Sequence, residues 1–216
     1  MNFLQRIRYI WSNYRHIVIL LGITLVLVAG TVLAFVLRGT DVAFGGLAVD
    51  VPLSEEGLHY LKEGYAQAGA FPENKVQVTQ ISLSAPGGVE TDELDYGGAI
   101  YAMSMVANRQ IDYFLLDETS LKIFLAQEMF LDLQTVFSSA QLEALGDAVM
   151  QAMPVDENDQ PTQTGTYPVA LDISGLSFTQ HCIPTNEPVY LCFVAGSLHQ
   201  EQFLQFWEYL NAWELR

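Results

Sequence analysis

From residue 17 to 37 the chain runs twenty-one positions without a charge, and Leu, Ile, Val and Ala fill most of them. As a helix this run reaches about 31 Å, the depth of a bilayer's hydrocarbon core. Beyond it the apolar positions come in shorter groups. Residues 47–51 read as a strand, and Ser54 is placed to cap a helix with Leu58, Leu61, Tyr65 and Ala68 on one face. Residues 75–83 alternate as a strand near a sheet edge does, and 84–95 read as a loop. A helix over 96–108 turns Ile100, Met103 and Val106 inward. Residues 111–116 are almost continuously apolar, as in a central strand covered on both faces. Helices are expected from Asp117 to Glu128 and over 138–153, then a polar excursion at 154–165. Strands at 167–172 and 189–194 and a helix at 200–213 complete the pattern. In that last helix Phe203, Phe206, Trp207, Leu210 and Trp213 form one stripe, expected to pack on the sheet rather than face a partner. Strands separated by helices of this length predict an α/β domain, a mostly parallel sheet flanked by helices.

The division that follows is a cytoplasmic tail (1–16), a transmembrane helix (17–37), a linker (38–46) and an extracytoplasmic α/β domain (47–216). Arg6, Arg8 and Arg15 precede the apolar run and only Arg38 follows it closely, which puts the tail in the cytoplasm. Trp11 and Tyr14 lie where an aromatic belt anchors the inner interface. A cleaved signal peptide is the competing reading, but its apolar region is shorter, and Val32-Leu33-Ala34 makes a poor cleavage site. A single-pass protein of the cell membrane, with residues 17–37 in the lipid bilayer, is the expectation. After residue 38 there are five basic residues against twenty-five acidic ones, a formal charge of −20. Such a surface repels nucleic acid and anionic headgroups. The acids are scattered, so they read first as a solvated exterior.

Open α/β sheets bind ligands beyond the carboxyl ends of their strands. That places residues 51–54, the loop near Ser84, residues 117–120 and residues 172–174 on one rim. Asp117, Glu118, Thr119, Asp172 and Ser174 are the ligand-binding candidates there. Carboxylates at such positions can grip an ammonium group or a cation, but at a helix start they also serve simply as caps. No phosphate-cradling glycine loop, nucleophile elbow or His-Glu-x-x-His is present, so no catalytic residue and no cofactor is expected. His181, Cys182, Cys192 and His199 superficially resemble a metal set, but adjacent residues seldom ligate one ion and the spacing fits no zinc pattern. His59 falls on the polar side of its helix. Cys182 and Cys192 lie symmetrically about Glu187 in a turn-forming stretch, which leaves open a disulfide across paired strands or two separate buried thiols.

Two segments, Ala107-Asn-Arg-Gln-Ile-Asp-Tyr-Phe-Leu-Leu-Asp117 and Leu125-Ala-Gln-Glu-Met-Phe-Leu-Asp-Leu133, resemble the first-lobe pattern of type 2 extracellular solute-binding proteins. The stretches 167–174 and 188–194 are similar to the returning strands of that class. The tail 9–16 resembles that of single-pass proteins of Clostridia-type bacteria carrying such domains. The family's usual Gly before the strand-opening Asp is replaced here by Asn108-Arg109-Gln110. The resemblance implies a periplasmic-binding-like lobe. With the five expected strands numbered along the chain, its order would be 2-1-3-5-4, and the strand carrying Cys192 or its neighbour would run against the others. The resemblance does not imply retained transport function. With no enzyme signature in the chain, the first functional reading is a non-catalytic domain that binds a small solute or peptide, as a transporter accessory or sensor. The alternative is a degenerate lobe that scaffolds a membrane protein partner.

Overall fold

The computed structural model describes residues 42–83, 96–153 and 165–213, together with Thr24. The expected tail and membrane span, Thr24 apart, lie outside the described residues, as do 84–95 and 154–164. Among the described residues no helix is long and apolar enough to cross a membrane. From Val42 onward the chain forms one unit.

Its strands are β1 (Phe44–Val49), β2 (Val76–Ile81), β3 (Tyr113–Leu116), β4 (Val149–Ala152), β5 (Tyr167–Asp172) and β6 (Tyr190–Phe193). They form one sheet in the order β2-β1-β3-β6-β5-β4. β1 pairs in parallel with β2 and β3, whereas β3–β6, β6–β5 and β5–β4 are antiparallel. Thus β1, β2, β3 and β5 run one way and β4 and β6 the other, which makes the sheet mixed rather than mostly parallel in its pairings. The five anticipated strands take the order 2-1-3-5-4, the strand with Cys192 is reversed, and β4 is added at the far edge.

Helices cover both faces. On one lie α1 (Glu55–His59), α2 (Tyr65–Ala68), α6 (Ser177–Cys182) and α7 (Phe203–Asn211), over Phe44, Ala48, Tyr113, Leu115, Leu191 and Phe193. On the other lie α3 (Tyr96–Ala107) and α4 (Glu118–Leu125), over Leu47, Val49, Phe114, Leu116 and Cys192. α5 (Ser139–Leu145) precedes β4. The last-helix stripe is core, since Phe203, Phe206, Leu210 and Trp213 are buried, while Trp207 is half-buried and edge-on to Phe137.

Several local expectations are corrected. Gly45 and Gly46 belong to β1, not to a linker. A Cβ at Gly45 would strike the Gln110 carbonyl and one at Gly46 the Tyr113 ring, so glycine serves close packing here rather than flexibility. Ser54 does cap α1, accepting from Gly57 N at 3.1 Å. A π-helical turn at Tyr60–Gly64 then widens the spiral, so the buried side runs Gly57, Leu61, Tyr65 and Ala66 and leaves Ala68 exposed. In α3 Ala102 faces inward, and Ile100 is 65 % exposed. The helix expected over 138–153 stops early. Ser138 and Gln141 form a capping box, Gly146 turns the chain at φ 54°, and β4 follows.

Cys182 and Cys192 do not meet. Cys182 ends α6 on one face of the sheet and Cys192 points from β6 to the other, so both are free and buried. The disulfide reading required both on paired strands, and only one is on a strand. Burial pushes both thiols up, Cys182 to about 11 with Glu56 adding to the rise.

Candidate functional site

The carboxyl ends of β1, β2, β3 and β5 share one rim, with the start of β6 among them. The chain passes from β1 to β2 on one side and then to β3 on the other, so the point where strand order reverses lies between β1 and β3. Asp50 follows β1 there in a left-handed conformation, φ 53°. Its carboxylate accepts from Ser82 Oγ at 2.5 Å, from Leu83 N at 3.0 and 3.1 Å, and from Ser120 Oγ at 3.2 Å. The last bond spans the β1–β3 crevice. An αL aspartate is tolerated because a short polar side chain can bond locally, and here it collects donors from two segments, the residues after β2 and the start of α4.

Asp117 caps α4, accepting from Ser120 N at 2.8 Å. Glu118 pairs with Lys122 at 2.6 Å on the helix surface, and Thr119 is exposed beside it. Asp172 at the end of β5 accepts from Ser174 N at 2.9 Å and Ser174 Oγ at 2.5 Å, while that hydroxyl accepts from Val189 N at 2.9 Å. Tyr190 lies between the two groups, aligned with Leu116 on one side and Asp172 on the other. Burial raises its phenol's pKa, Asp172 and Glu118 add to the rise, and Lys122 opposes it. All five candidates therefore share one rim, in two clusters joined by Tyr190. Sequence reading missed Asp50 and Tyr190, both folded into apolar strands by their neighbours. A polar residue at the carboxyl end of a buried strand was the available signal for Asp50.

The opposite end of the sheet holds a second carboxylate. Asp112 is 2 % exposed and accepts from Gly45 N at 2.6 Å, Ser197 Oγ at 2.5 Å and His199 Nδ1 at 3.0 Å. The residue types are those of a nucleophilic triad, but the serine donates to the carboxylate instead of to the imidazole. No base takes its proton, so the arrangement clasps and does not activate. Burial, above all, and then Asp112 raise the pKa of the Tyr65 phenol; on Tyr113 burial, Tyr65 and Asp112 act in that order. The imagined metal set is dispersed: His181 bonds Ser177 O and rests on Trp213, and His199 bonds Asp112. Among the described residues no group of three or more His, Cys, Asp or Glu could hold a metal ion.

Comparison with protein-family models, with curated proteins and with solved structures gives no match.

Proposed function

We propose that residues 42–213 are the binding lobe of a single-pass membrane protein, displayed outside the cell by residues 17–37, non-catalytic, and related in design to type 2 solute-binding proteins. One observation carries this reading: the order β2-β1-β3-β6-β5 with β6 reversed, whose switch-point crevice gathers Asp50, Ser82 and Ser120. The rim offers carboxylates and hydroxyls, which suits a small polar solute or a short peptide with hydrogen-bond donors. The test is a thermal-shift screen of the detergent-solubilised chain against sugars, amino acids and short peptides. A hit that Ser120→Ala abolishes supports the rim, and a hit indifferent to that change moves the ligand elsewhere.

A second reading, a lobe that scaffolds a membrane complex, is favoured by one feature. The rim groups are bonded to one another: Asp172 to Ser174, Asp117 to its own helix, Glu118 to Lys122. A solute would have to displace these bonds, whereas a protein partner need not enter the rim. A clean negative screen together with co-purification of a membrane protein would favour it.

A further inference from the structure

The two outer strands of the sheet are built differently. β4 has four residues and shifts register against β5 between Met150 and Gln151, an irregularity of the kind that blunts a sheet edge. β2 has six, Val76-Gln-Val-Thr-Gln-Ile81, with no charge, no proline and unbroken register against β1. Two bonds fix how its backbone faces: Ala43 N donates to Lys75 O, and Asp50 N donates to Ile81 O. Odd-numbered residues thus turn their N–H and C=O groups toward β1. By alternation, those of Val76, Val78 and Gln80 point to the open side. Among the described residues no strand pairs with that side. A cleft of about 600 Å³ runs along it, lined by Lys62, Glu63, Asn74 and the strand itself. Glu63 is engaged by His59 at 3.1 Å, and exposed Lys62 has no ion-pair partner among the described residues.

We propose that β2 is a strand-addition site for an extended segment of a partner polypeptide that presents a carboxylate to Lys62. Main-chain bonds to Val76, Val78 and Gln80 supply the attachment, and side chains alternating into the cleft supply the choice of partner. A second copy of this chain fits less well. Pairing two six-residue edges falls short of the roughly 1,200–2,000 Å² that stable interfaces bury, and each copy brings a formal −20 beyond residue 38. The inference stands on the sheet edge alone and is independent of both the strand-end rim and membrane display.

The test uses the full chain in mild detergent and two fluorescent, end-blocked peptides, Thr-Val-Thr-Glu-Thr-Val-Thr and its Lys counterpart, read by anisotropy. The Glu peptide should bind about two- to fivefold tighter, the range of an exposed ion pair, and Lys62→Glu should reverse the order. N-methylation on one alternate set of residues should abolish binding, and on the other set should leave it within about twofold, because only one edge of an added strand meets β2. Failure of both peptides to bind, or equal tolerance of both methylation sets, overturns the proposal. A concentration-dependent dimer that Gln77→Lys dissociates assigns the edge to a second copy and overturns it equally.

Discussion

Each end of the sheet is tied together by one carboxylate, in opposite surroundings. At the amino ends of β1 and β3, Asp112 is shut away with Gly45, Ser197 and His199, beside a ring cluster of Phe44, Tyr65, Tyr113 and Phe206. At the carboxyl ends, half-buried Asp50 holds exposed Ser82 together with buried Leu83 and Ser120, in a left-handed conformation. The hydrogen bonds are similar, and the environment decides what each can do. A buried carboxylate stripped of donors suffers its full desolvation, so Asp112 must keep its partners. Asp50 can exchange the exposed Ser82 hydroxyl for water or a ligand's donor at little cost. The dry end is a clasp, and the wet end is an exchangeable set of acceptors.

Breaking the dry end should cost most. Phe206 packs on Tyr113 at 4.3 Å, Tyr65 at 4.9 Å and Phe44 at 5.1 Å, and Phe206→Ala should lose about 3–5 kcal/mol in denaturant unfolding. Half-buried Trp207, on the same helix, should lose only about 1–2 kcal/mol as Ala. Equal losses would mean that the stripe is not graded from core to surface. Asp112→Ala, which strands the Gly45 N–H, should cost on the order of 2–4 kcal/mol. A midpoint unchanged by it would erase the distinction between the ends.

The wet end should respond less, and its response can be divided. Asp50→Ala removes the acceptors but keeps a Cβ at φ 53°, and should cost about 1–3 kcal/mol. Asp50→Gly removes the same acceptors and relieves the conformation, so it should be less destabilised by about 1 kcal/mol. If Ala and Gly behave alike, the left-handed turn stores no strain and the rim is held by its hydrogen bonds alone.

The sequence made the middle of this molecule legible and its ends much less so. β3, β5 and β6 announce themselves because strands buried on both faces need unbroken apolar runs, and α7 because one stripe must cover the sheet. Gly45 and Gly46 looked like a linker, since close approach to Gln110 and Tyr113 is a tertiary fact that leaves no local pattern. The π-turn at Tyr60–Gly64 defeated a 3.6-residue periodicity for the same reason. At the candidate site, Asp117 and Asp172 were visible because one follows and the other ends an apolar strand. Asp50 was hidden by Val51, which carried the expected strand two residues past its end at Val49. Asp112 lies far in the chain from Ser197 and His199, and only the meeting of β3 with the loop after β6 joins them.

The smallest effect is absent at neutral pH and develops in alkali. An unfolded tyrosine ionises near about pH 10. Tyr65 and Tyr113 are raised above that chiefly by burial, with Asp112 adding to it, and Tyr190 at the rim by burial, Asp172 and Glu118. A folded value above the unfolded one means that the stability is fully present below about pH 10 and is lost as pH rises through the folded values. Cys182 and Cys192 start the loss earlier, because burial moves the first thiol from 9.0 to about 11 and the second well above 9.0. The unfolding midpoint should therefore hold steady to about pH 8.5 and then decline; Cys182→Ala should shrink the first part of that decline, and Cys182→Ala with Cys192→Ala should remove it. Tyrosinate absorbance separates the two ends. Asp172→Asn should bring Tyr190 to ionise at lower pH in the folded protein and leave Tyr113 silent until unfolding. Early ionisation of Tyr113 in the folded chain would show that the Asp112 end is wet after all, and with it the contrast between clasp and rim would fall.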